Sequence, residues 1–320
     1  MHILRSIPEL AEVPGPVFLA IGVFDGVHRG HQAVISTAAR HAKEAGGTAV
    51  VVTFDPHPAK FLRPEKSPRL LTATEHKIAL IRALGVSHLL VLKFDRELAS
   101  TSPVDFVRQL VAAAKPLREI CVGQAWSFGK DRAGNLALLK KLGAQLGFHV
   151  VGVEPVTSNE AIVSSTKIRR AVEAGDFASA ARMLGRDYTI LGTVEEGKHL
   201  GRGLGFPTAN LSAHSEQFPP NGVYAAEGML EGETVQGVVN LGVRPTVADG
   251  PPQRVLEFHL FDLDRDLYGK EIELRFLSYL RPERKFENLA ALREQIALDV
   301  AKAREIFGSK EGSGPVATSP

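Results

Sequence analysis

The chain has 320 residues, 44% hydrophobic and 23% charged, with 38 basic against 36 acidic residues and a net charge of +2. That composition supports packed cores and excludes bulk disorder, and the charge balance gives no reason to expect a nucleic acid or a membrane surface as partner. The single cysteine, Cys121, excludes an intrachain disulfide, and no apolar run reaches membrane-spanning length. The N-terminus lacks a basic segment followed by a long apolar one, so a cytoplasmic protein is expected. A length of 320 suggests two domains.

The first predicted strand is Val17-Phe18-Leu19-Ala20-Ile21, and residues 32–43 form an Ala-rich run with helical spacing. Between them lies Gly22-Val23-Phe24-Asp25-Gly26-Val27-His28-Arg29-Gly30-His31. A glycine-rich turn thus joins a strand to a helix start, where free N–H groups and the positive dipole end favour an anion. Gly22, Gly26 and Gly30 permit close backbone approach. His28 and His31 fall on one face if the helix has begun, and two imidazoles there suit charge that builds up as a phosphate ester is cleaved. A zinc site is a poor reading, because no further Cys or His stands nearby with ligand spacing.

Strand and helix patterns then alternate. Residues 48–54 are a β-branched buried run, 75–84 a helix with Thr74 as N-cap, and 88–92 a strand. Ser102-Pro103 caps a helix over 104–114. Strands at 120–122 and 148–153 flank a helix at 136–146. This alternation predicts a mainly parallel α/β sheet covered on both faces, with ligands past the strand C-termini. The His28/His31 loop, Asp55-Pro56-His57-Pro58 and residues 123–129 all follow strands, so they are expected to meet at one edge. Cys121, inside an apolar strand, reads as a buried structural thiol.

Ser164-Ser165-Thr166-Lys167-Ile168-Arg169 opens a helix predicted through 174. Its hydroxyls and N–H groups, with Lys167 and Arg169, suit phosphate, and Arg170 is an alternative to Arg169. A short helix over 176–184 leads to a different texture. From 188 onward strand follows strand, at 188–195, 223–230, 234–240, 255–261 and 272–279, which predicts an antiparallel barrel or sandwich. A last helix over 289–306 carries Leu289, Leu292, Ile296 and Val300, and the Gly/Ser/Pro-rich residues beyond 307 are expected to be disordered.

Residues 192–198 fit G-x-x-x-x-G-K, but His199 follows the lysine and 200–203 are not helical, so a P-loop is rejected. Gly201-Arg202-Gly203-Leu204-Gly205-Phe206-Pro207-Thr208-Ala209-Asn210 has backbone N–H groups for phosphate, and Thr208 and Asn210 alternate along an extended segment. A hydroxyl and a carboxamide oxygen on one side suit a Mg²⁺ ion bridging phosphates. Asp262, Asp264 and Asp266 read as a polar turn, since the Gly and Glu of a calcium loop are misplaced.

These stretches resemble known families. Residues 22–31 resemble the HxGH signature of the nucleotidyltransferase superfamily, and 164–169 its second, triphosphate-contacting signature. Thr53-Phe54-Asp55-Pro56-His57-Pro58 resembles the TFDPHP segment of prokaryotic FAD synthetases. Residues 201–210 resemble the GRxLGFPTAN signature of riboflavin kinases, echoed at 220–224, 240–246 and 280–283. The resemblance implies a member of the bifunctional riboflavin kinase/FAD synthetase family. Its expected architecture is a Rossmann-like adenylyltransferase domain over 1–186, a β-barrel kinase domain with a terminal helix over 187–308, and a tail over 309–320.

It implies ATP as co-substrate, Mg²⁺ as cofactor, riboflavin as acceptor, and FMN and FAD as products. His28, His31 and Arg169 would stabilise charge in adenylyl transfer. Gly22, Phe24, Asp25, Gly26, Gly30, Ser164, Ser165 and Thr166 would bind ATP there, while Asp55, His57, Pro58, Trp126 and Phe128 are its flavin candidates. In the kinase, Gly201, Arg202, Gly205, Phe206 and Pro207 would bind ATP, and Thr208 and Asn210 the metal. Glu257 would be the base, and Arg281 and Glu283 flavin contacts. Arg281 and Glu283 equally suit an ion pair, and Trp126 a core aromatic. One departure stands out: Gly123-Gln124-Ala125-Trp126-Ser127-Phe128-Gly129 has Ala125 and Trp126 where the family shows a polar residue and phenylalanine. A kinase whose first module has lost or changed its acceptor, and a flavin-binding regulator without turnover, are the alternatives. Oligomeric state is not legible.

Overall fold

The computed structural model describes residues 1–196, 206–214, 217–244, 253–263 and 265–311. Residue contacts divide the chain into two units, 1–170 with 181–186, and 171–180 with 187 onward.

The first unit opens with a short strand β1 (His2–Leu4), which the sequence pattern does not signal. Then come β2 (Val17–Ile21), α1 (Arg29–Glu44), β3 (Thr48–Asp55), α2 (Pro58–Leu62), α3 (Thr74–Ala83), β4 (His88–Lys93), α4 (Arg96–Ser100) and α5 (Pro103–Ala113). The run continues through β5 (Leu117–Gly123), the hairpin of β6 (Ser127–Phe128) and β7 (Gly134–Asn135), α6 (Leu136–Leu146) and β8 (His149–Val153). The hairpin β9 (Thr157–Ser158) and β10 (Ala161–Ile162) precedes α7 (Ser165–Glu173) and α8 (Phe177–Leu184).

Six strands pair in parallel in the order β1-β4-β3-β2-β5-β8. The chain steps outward from β2 through β3 to β4, then returns to the other side of β2 for β5. The ends of β2 and β5 therefore form the switch point where such sheets take ligands. Alternate residues serve the two faces. Leu19, Ile21, Val50, Val52, Ile120 and Val122 pack with Phe106, Leu110, Leu139 and Leu142 of α5 and α6. Ala20, Val51, Leu89, Val91 and Cys121 pack with Val34, Ile35 and Ala38 of α1 and Ile81 of α3. Cys121 is fully buried and its thiol donates to Glu119 at 3.2 Å, in keeping with a structural role.

Caps follow the local chemistry. Ser102 accepts the Asp105 amide at 3.1 Å and Pro103 occupies the first turn of α5. Thr74 is a correction: it is the first residue of α3, Ala73 is the cap position, and the Thr74 hydroxyl instead donates to Asp55 at 2.7 Å.

The second unit is a closed barrel, β11-β12-β15-β14-β13-β16, antiparallel throughout. Its strands are β11 (Thr189–Glu195), β12 (Ala209–Ala213), β13 (Gly222–Leu230), β14 (Glu233–Arg244), β15 (Gln253–Leu260) and β16 (Glu271–Arg281). Closure leaves no unpaired sheet edge. The last helix, α9 (Leu289–Glu311), is longer than the expected 289–306, so 309–311 are helical; 312–320 lie outside the described residues. It docks from Asp299 onward, with Ala303 and Phe307 buried against Val223, Ala225, Val238 and Leu280, whereas Leu289 stays 66% exposed.

Candidate functional site

In the first unit the glycine loop ends at His28, which is the N-cap of α1. Its Nδ1 accepts the His31 amide at 3.3 Å, which places the ring proton on Nε2, away from the helix. The His28 and His31 rings stack with centroids 3.5 Å apart and 20° between planes. His31 Nδ1 is buried without a hydrogen-bond partner among the described residues, so a proton there would be an unsatisfied donor and the Nε2–H tautomer is favoured. Burial pushes His28 down to about 4, helped by the Arg186 and Arg169 charges, and pushes His31 well below the usual imidazole range, helped by His28 and Lys77. Both rings are therefore neutral donors at neutral pH, and their stacking costs no charge repulsion.

The loop holds this geometry through positive-φ residues. Phe24 (φ 52) and Val27 (φ 40) adopt it despite their side chains, and Gly26 (φ 83) leaves no room for a Cβ, which would stand 2.8 Å from Leu71. Gly30 is similarly close: a Cβ would lie 3.1 Å from the His28 ring. Phe24, expected to touch ATP, is buried and meets the His31 ring edge-on at 5.3 Å, so it supports the histidine from behind. Gly22 backs onto the same Phe24 ring.

Asp25 also differs from expectation. Its Oδ1 accepts the Leu71 and Thr72 amides at 3.0 and 3.1 Å, and its Oδ2 accepts from Arg169. A buried carboxylate so occupied is a tie rather than a phosphate ligand. Arg169 also donates to the Arg69 carbonyl at 2.6 Å, whereas Arg170 is exposed; Arg169 is the arginine turned to the loop. Ser165 donates to the Asp25 carbonyl at 2.9 Å, and Ser164 accepts the Lys167 amide at 3.4 Å as the cap of α7. Thr166 is exposed.

A cavity of about 680 Å³ lies past the ends of β3 and β5. Phe54, His57, Pro58, Phe94, Trp126 and Phe128 line it, with Ala125 in the same wall. Trp126 stacks on Phe128 at 4.4 Å with 9° between planes, which gives the cavity wall a flat aromatic face. Of the segments expected to meet, Val23 of the glycine loop, His57 and Pro58, and residues 125–129 line this cavity, while His28 and His31 stand outside its lining. Asp55 does not line the cavity either, and its carboxylate is engaged by Thr74. His57 caps α2 by accepting the Ala59 amide at 3.1 Å, and burial lowers its pKa while Asp25 opposes.

Two residues were not legible beforehand. Lys77 is buried and donates to the Val23 and Phe54 carbonyls, and Thr53 is buried and donates to the Val23 carbonyl. A lysine within a helix reads from sequence as a solvent-facing charge, and no periodic signal contradicts that.

In the barrel, Asn210 on β12, Glu257 on β15 and Asn240 on β14 stand in register across three adjacent strands. Leu256, Phe258 and Leu260 turn into the barrel, so Glu257 lies on the other face of β15, half-buried. Asn210 Oδ1 is buried without a hydrogen-bond partner among the described residues. Phe206 and Pro207, just upstream, are held by His259: its Nδ1 donates to the Pro207 carbonyl at 2.8 Å and its ring meets Phe206 edge-on at 5.3 Å. Thr208 is exposed, one residue before β12. Gly201, Arg202 and Gly205, like 245–252 and Asp264, lie outside the described residues.

Arg281, expected either to meet flavin or to form an ion pair, forms the ion pair. Its guanidinium binds both oxygens of Asp299 on α9, at 2.7 to 3.0 Å, and donates to the Pro282 carbonyl, so it pins α9 to the barrel. Glu283 reaches the backbone of β14, where a Cβ on Gly242 would stand 2.2 Å from its Oε1.

Stacked imidazoles at a helix start in one unit, and a carboxylate level with two amides on the closed barrel of the other, are a two-module arrangement suited to phosphate transfer. The family model for FAD synthetase matches residues 11–167 and that for riboflavin kinase residues 184–307. Similar proteins include the bifunctional riboflavin kinase/FMN adenylyltransferases of Escherichia coli K12, 36% identical over 96% of this chain and 98% of that one, of Pseudomonas fluorescens, 38% over the same shares, and of Bacillus subtilis 168, 37% over 97% and 98%. The chain belongs to the bifunctional riboflavin kinase/FMN adenylyltransferase family. A crystal structure described as a macrolide-efflux protein from Streptococcus pneumoniae shares the fold, with a TM-score of 0.79, 26% identity, and coverage of 95% of this chain and 99% of that one. Among the described residues no helix is long and apolar enough to cross a membrane.

Proposed function

We infer that this chain phosphorylates riboflavin with ATP to give FMN in the barrel unit, and adenylylates FMN with a second ATP to give FAD in the α/β unit. The stacked, neutral His28/His31 pair next to a flat aromatic cavity is the observation that supports the second activity most directly. As a consumer of ATP it belongs in the cytoplasm.

In adenylyl transfer an FMN phosphate oxygen attacks the α-phosphorus of ATP, and the bond to the β-phosphate breaks, releasing pyrophosphate. No side chain needs to form a covalent bond. Trp126, Phe128, His57 and Pro58 seat the flavin, and the Nε2–H groups of His28 and His31 with the Arg169 guanidinium meet the growing phosphate charge. Asp25 aims Arg169, and Ser165 ties α7 to the same loop. Neutral donors can serve this role, since their hydrogen bonds strengthen as negative charge develops on the phosphate oxygens.

In the kinase, Glu257 accepts the proton of the ribityl 5′-hydroxyl as its oxygen attacks the γ-phosphorus of ATP. The buried, unpartnered Oδ1 of Asn210 is an acceptor in want of a cation, which fits Mg²⁺ held with the Thr208 hydroxyl. Bound there, the ion supplies neutralisation of phosphate charge. Phe206 and Pro207, fixed by His259, set the approach of that segment.

The deciding experiment supplies riboflavin, ATP and Mg²⁺ and separates the flavins by chromatography. FAD appearing after a rise in FMN supports both sites, with Ala125 a tolerated member of the cavity wall. FMN alone, with none converted when FMN and ATP are supplied, would leave a kinase and remove the assignment of the first site.

A further inference from the structure

Lys77 occupies the seam between the histidine loop and the flavin cavity. Its ammonium donates to the carbonyls of Val23 and Phe54, each at 3.3 Å. Val23 lies two residues past β2 and Phe54 is the penultimate residue of β3. From Val23 the chain runs into Asp25, His28 and His31; from Phe54 it runs into His57 and Pro58. Val23, Phe54, His57 and Pro58 all line the cavity. Thr53 adds a second strut, donating to the same Val23 carbonyl at 3.0 Å.

A lysine 5% exposed is an expensive way to fill space, because desolvation disfavours its charged form. Burial does lower its pKa, and Asp25, Asp55 and Glu75 act the other way. An apolar side chain of similar length would pack there at less cost. What a methyl end cannot do is hold, at once, two carbonyls at the ends of neighbouring strands. Those carbonyls belong to the chain segments that present the two substrates.

The geometry points to Lys77 as a positioning residue for adenylyl transfer: by tying Val23 to Phe54 it sets the FMN phosphate in the cavity against the ATP α-phosphate at His28 and His31. The inference rests on the site assigned above. A reaction that needs no covalent help from the protein depends on alignment, and a misplacement of about 1 Å costs on the order of a hundredfold in rate.

The test uses the full chain carrying Lys77→Met, with Thr53→Val as a milder variant. FAD formation from FMN and ATP is followed at steady state, FMN binding by quenching of the single tryptophan, and ATP binding by calorimetry without flavin. Thermal unfolding and riboflavin phosphorylation check that both units are folded. Lys77→Met is expected to lower kcat for FAD ten- to a hundredfold with both dissociation constants within about threefold of wild type, and Thr53→Val to shift kcat the same way by less. A folded Lys77→Met protein with kcat within twofold of wild type overturns the proposal. So does a loss carried entirely by weaker FMN or ATP binding. Should Lys77→Met fail to fold, Thr53→Val decides: lowered kcat at unchanged affinity supports the tie, and unchanged kcat overturns it. His31→Ala assayed alongside keeps the two claims apart, because its retention of FAD synthesis would sink the site assignment whatever Lys77 does.

Discussion

Arg169 donates a charge-assisted hydrogen bond to Asp25 across 144 positions of sequence, and both side chains are nearly shut off from solvent. This pair joins the start of α7 to the glycine loop, and it makes the two signature segments one structure. Asp25→Ala leaves Arg169 without its counter-charge. Breaking such a pair costs about 3–5 kcal/mol, so the first unit should unfold at distinctly lower urea concentration. FAD formation should fall at least a hundredfold while riboflavin phosphorylation persists. An Asp25→Ala protein with unaltered unfolding would show that the pair carries no load.

Separate chemistry in separate units predicts reciprocal losses. His31→Ala should reduce FAD synthesis by roughly a hundredfold or more and leave FMN synthesis near wild type. Glu257→Gln should do the opposite, costing about 10²–10⁴ in FMN formation while FAD is still made from supplied FMN. Loss of both activities in either folded variant would contradict the two-site assignment.

The orphaned Oδ1 of Asn210 makes metal dependence a local property of the barrel. Asn210→Ala should raise the Mg²⁺ concentration needed for half-maximal FMN formation by about tenfold. The Mg²⁺ titration of FAD formation from FMN serves as the control and should not move. Equal shifts in both titrations would separate Asn210 from the metal.

Trp126 is the chain's single tryptophan and lies in the cavity wall, stacked on Phe128. FMN binding should therefore quench its emission. His57→Ala should weaken the FMN midpoint several-fold, since His57 lines the same cavity. Glu257→Ala should not change it. Trp126→Ala should raise KM for FMN by about three- to tenfold, in line with about 0.5–1.5 kcal/mol for an aromatic contact.

Burial holds His28 at about 4 against an ordinary value near 6.5. In that interval the unfolded chain binds the proton and the folded one does not, so stability is fully present above pH 6.5 and is lost as pH falls toward 4. The loss attributable to His28 is about 3 kcal/mol at most, each pH unit of difference being worth about 1.4 kcal/mol. Urea unfolding of the first unit at pH 7.5 and 4.5 should show the decline, and His28→Asn should shrink it. FAD synthesis should show no acid limb from these histidines between pH 6 and 8. An activity loss centred near 6.5 that disappears in His28→Asn would mean that the ring titrates normally.

Much of the architecture was legible because periodicity is local. The apolar runs at β2 and β3, the helical spacing of α1 and the strand succession after Tyr188 each report a face that must be buried, and burial follows. Thr74 shows the limit. A hydroxyl before a helical run reads as a cap, yet its competing acceptor, Asp55, stands on another strand and appears only when β3 and α3 are adjacent. Leu289 is similar: its spacing fits an apolar stripe, but the barrel surface under α9 begins further along.

The amino-acid sequence by itself determined the two-part organisation, the α/β sheet and the strand-rich second half, and the residue types at each motif, because these depend on near neighbours and on chemistry carried within a few residues. The tertiary structure decided which of those residues meet. It turned Asp25 inward as the partner of Arg169, committed Arg281 to Asp299, lined Asn210, Glu257 and Asn240 in one row, and buried Lys77 between two strand ends. Each outcome depends on groups distant in sequence competing for one hydrogen-bonding or charged partner, and only the packed chain brings the competitors together.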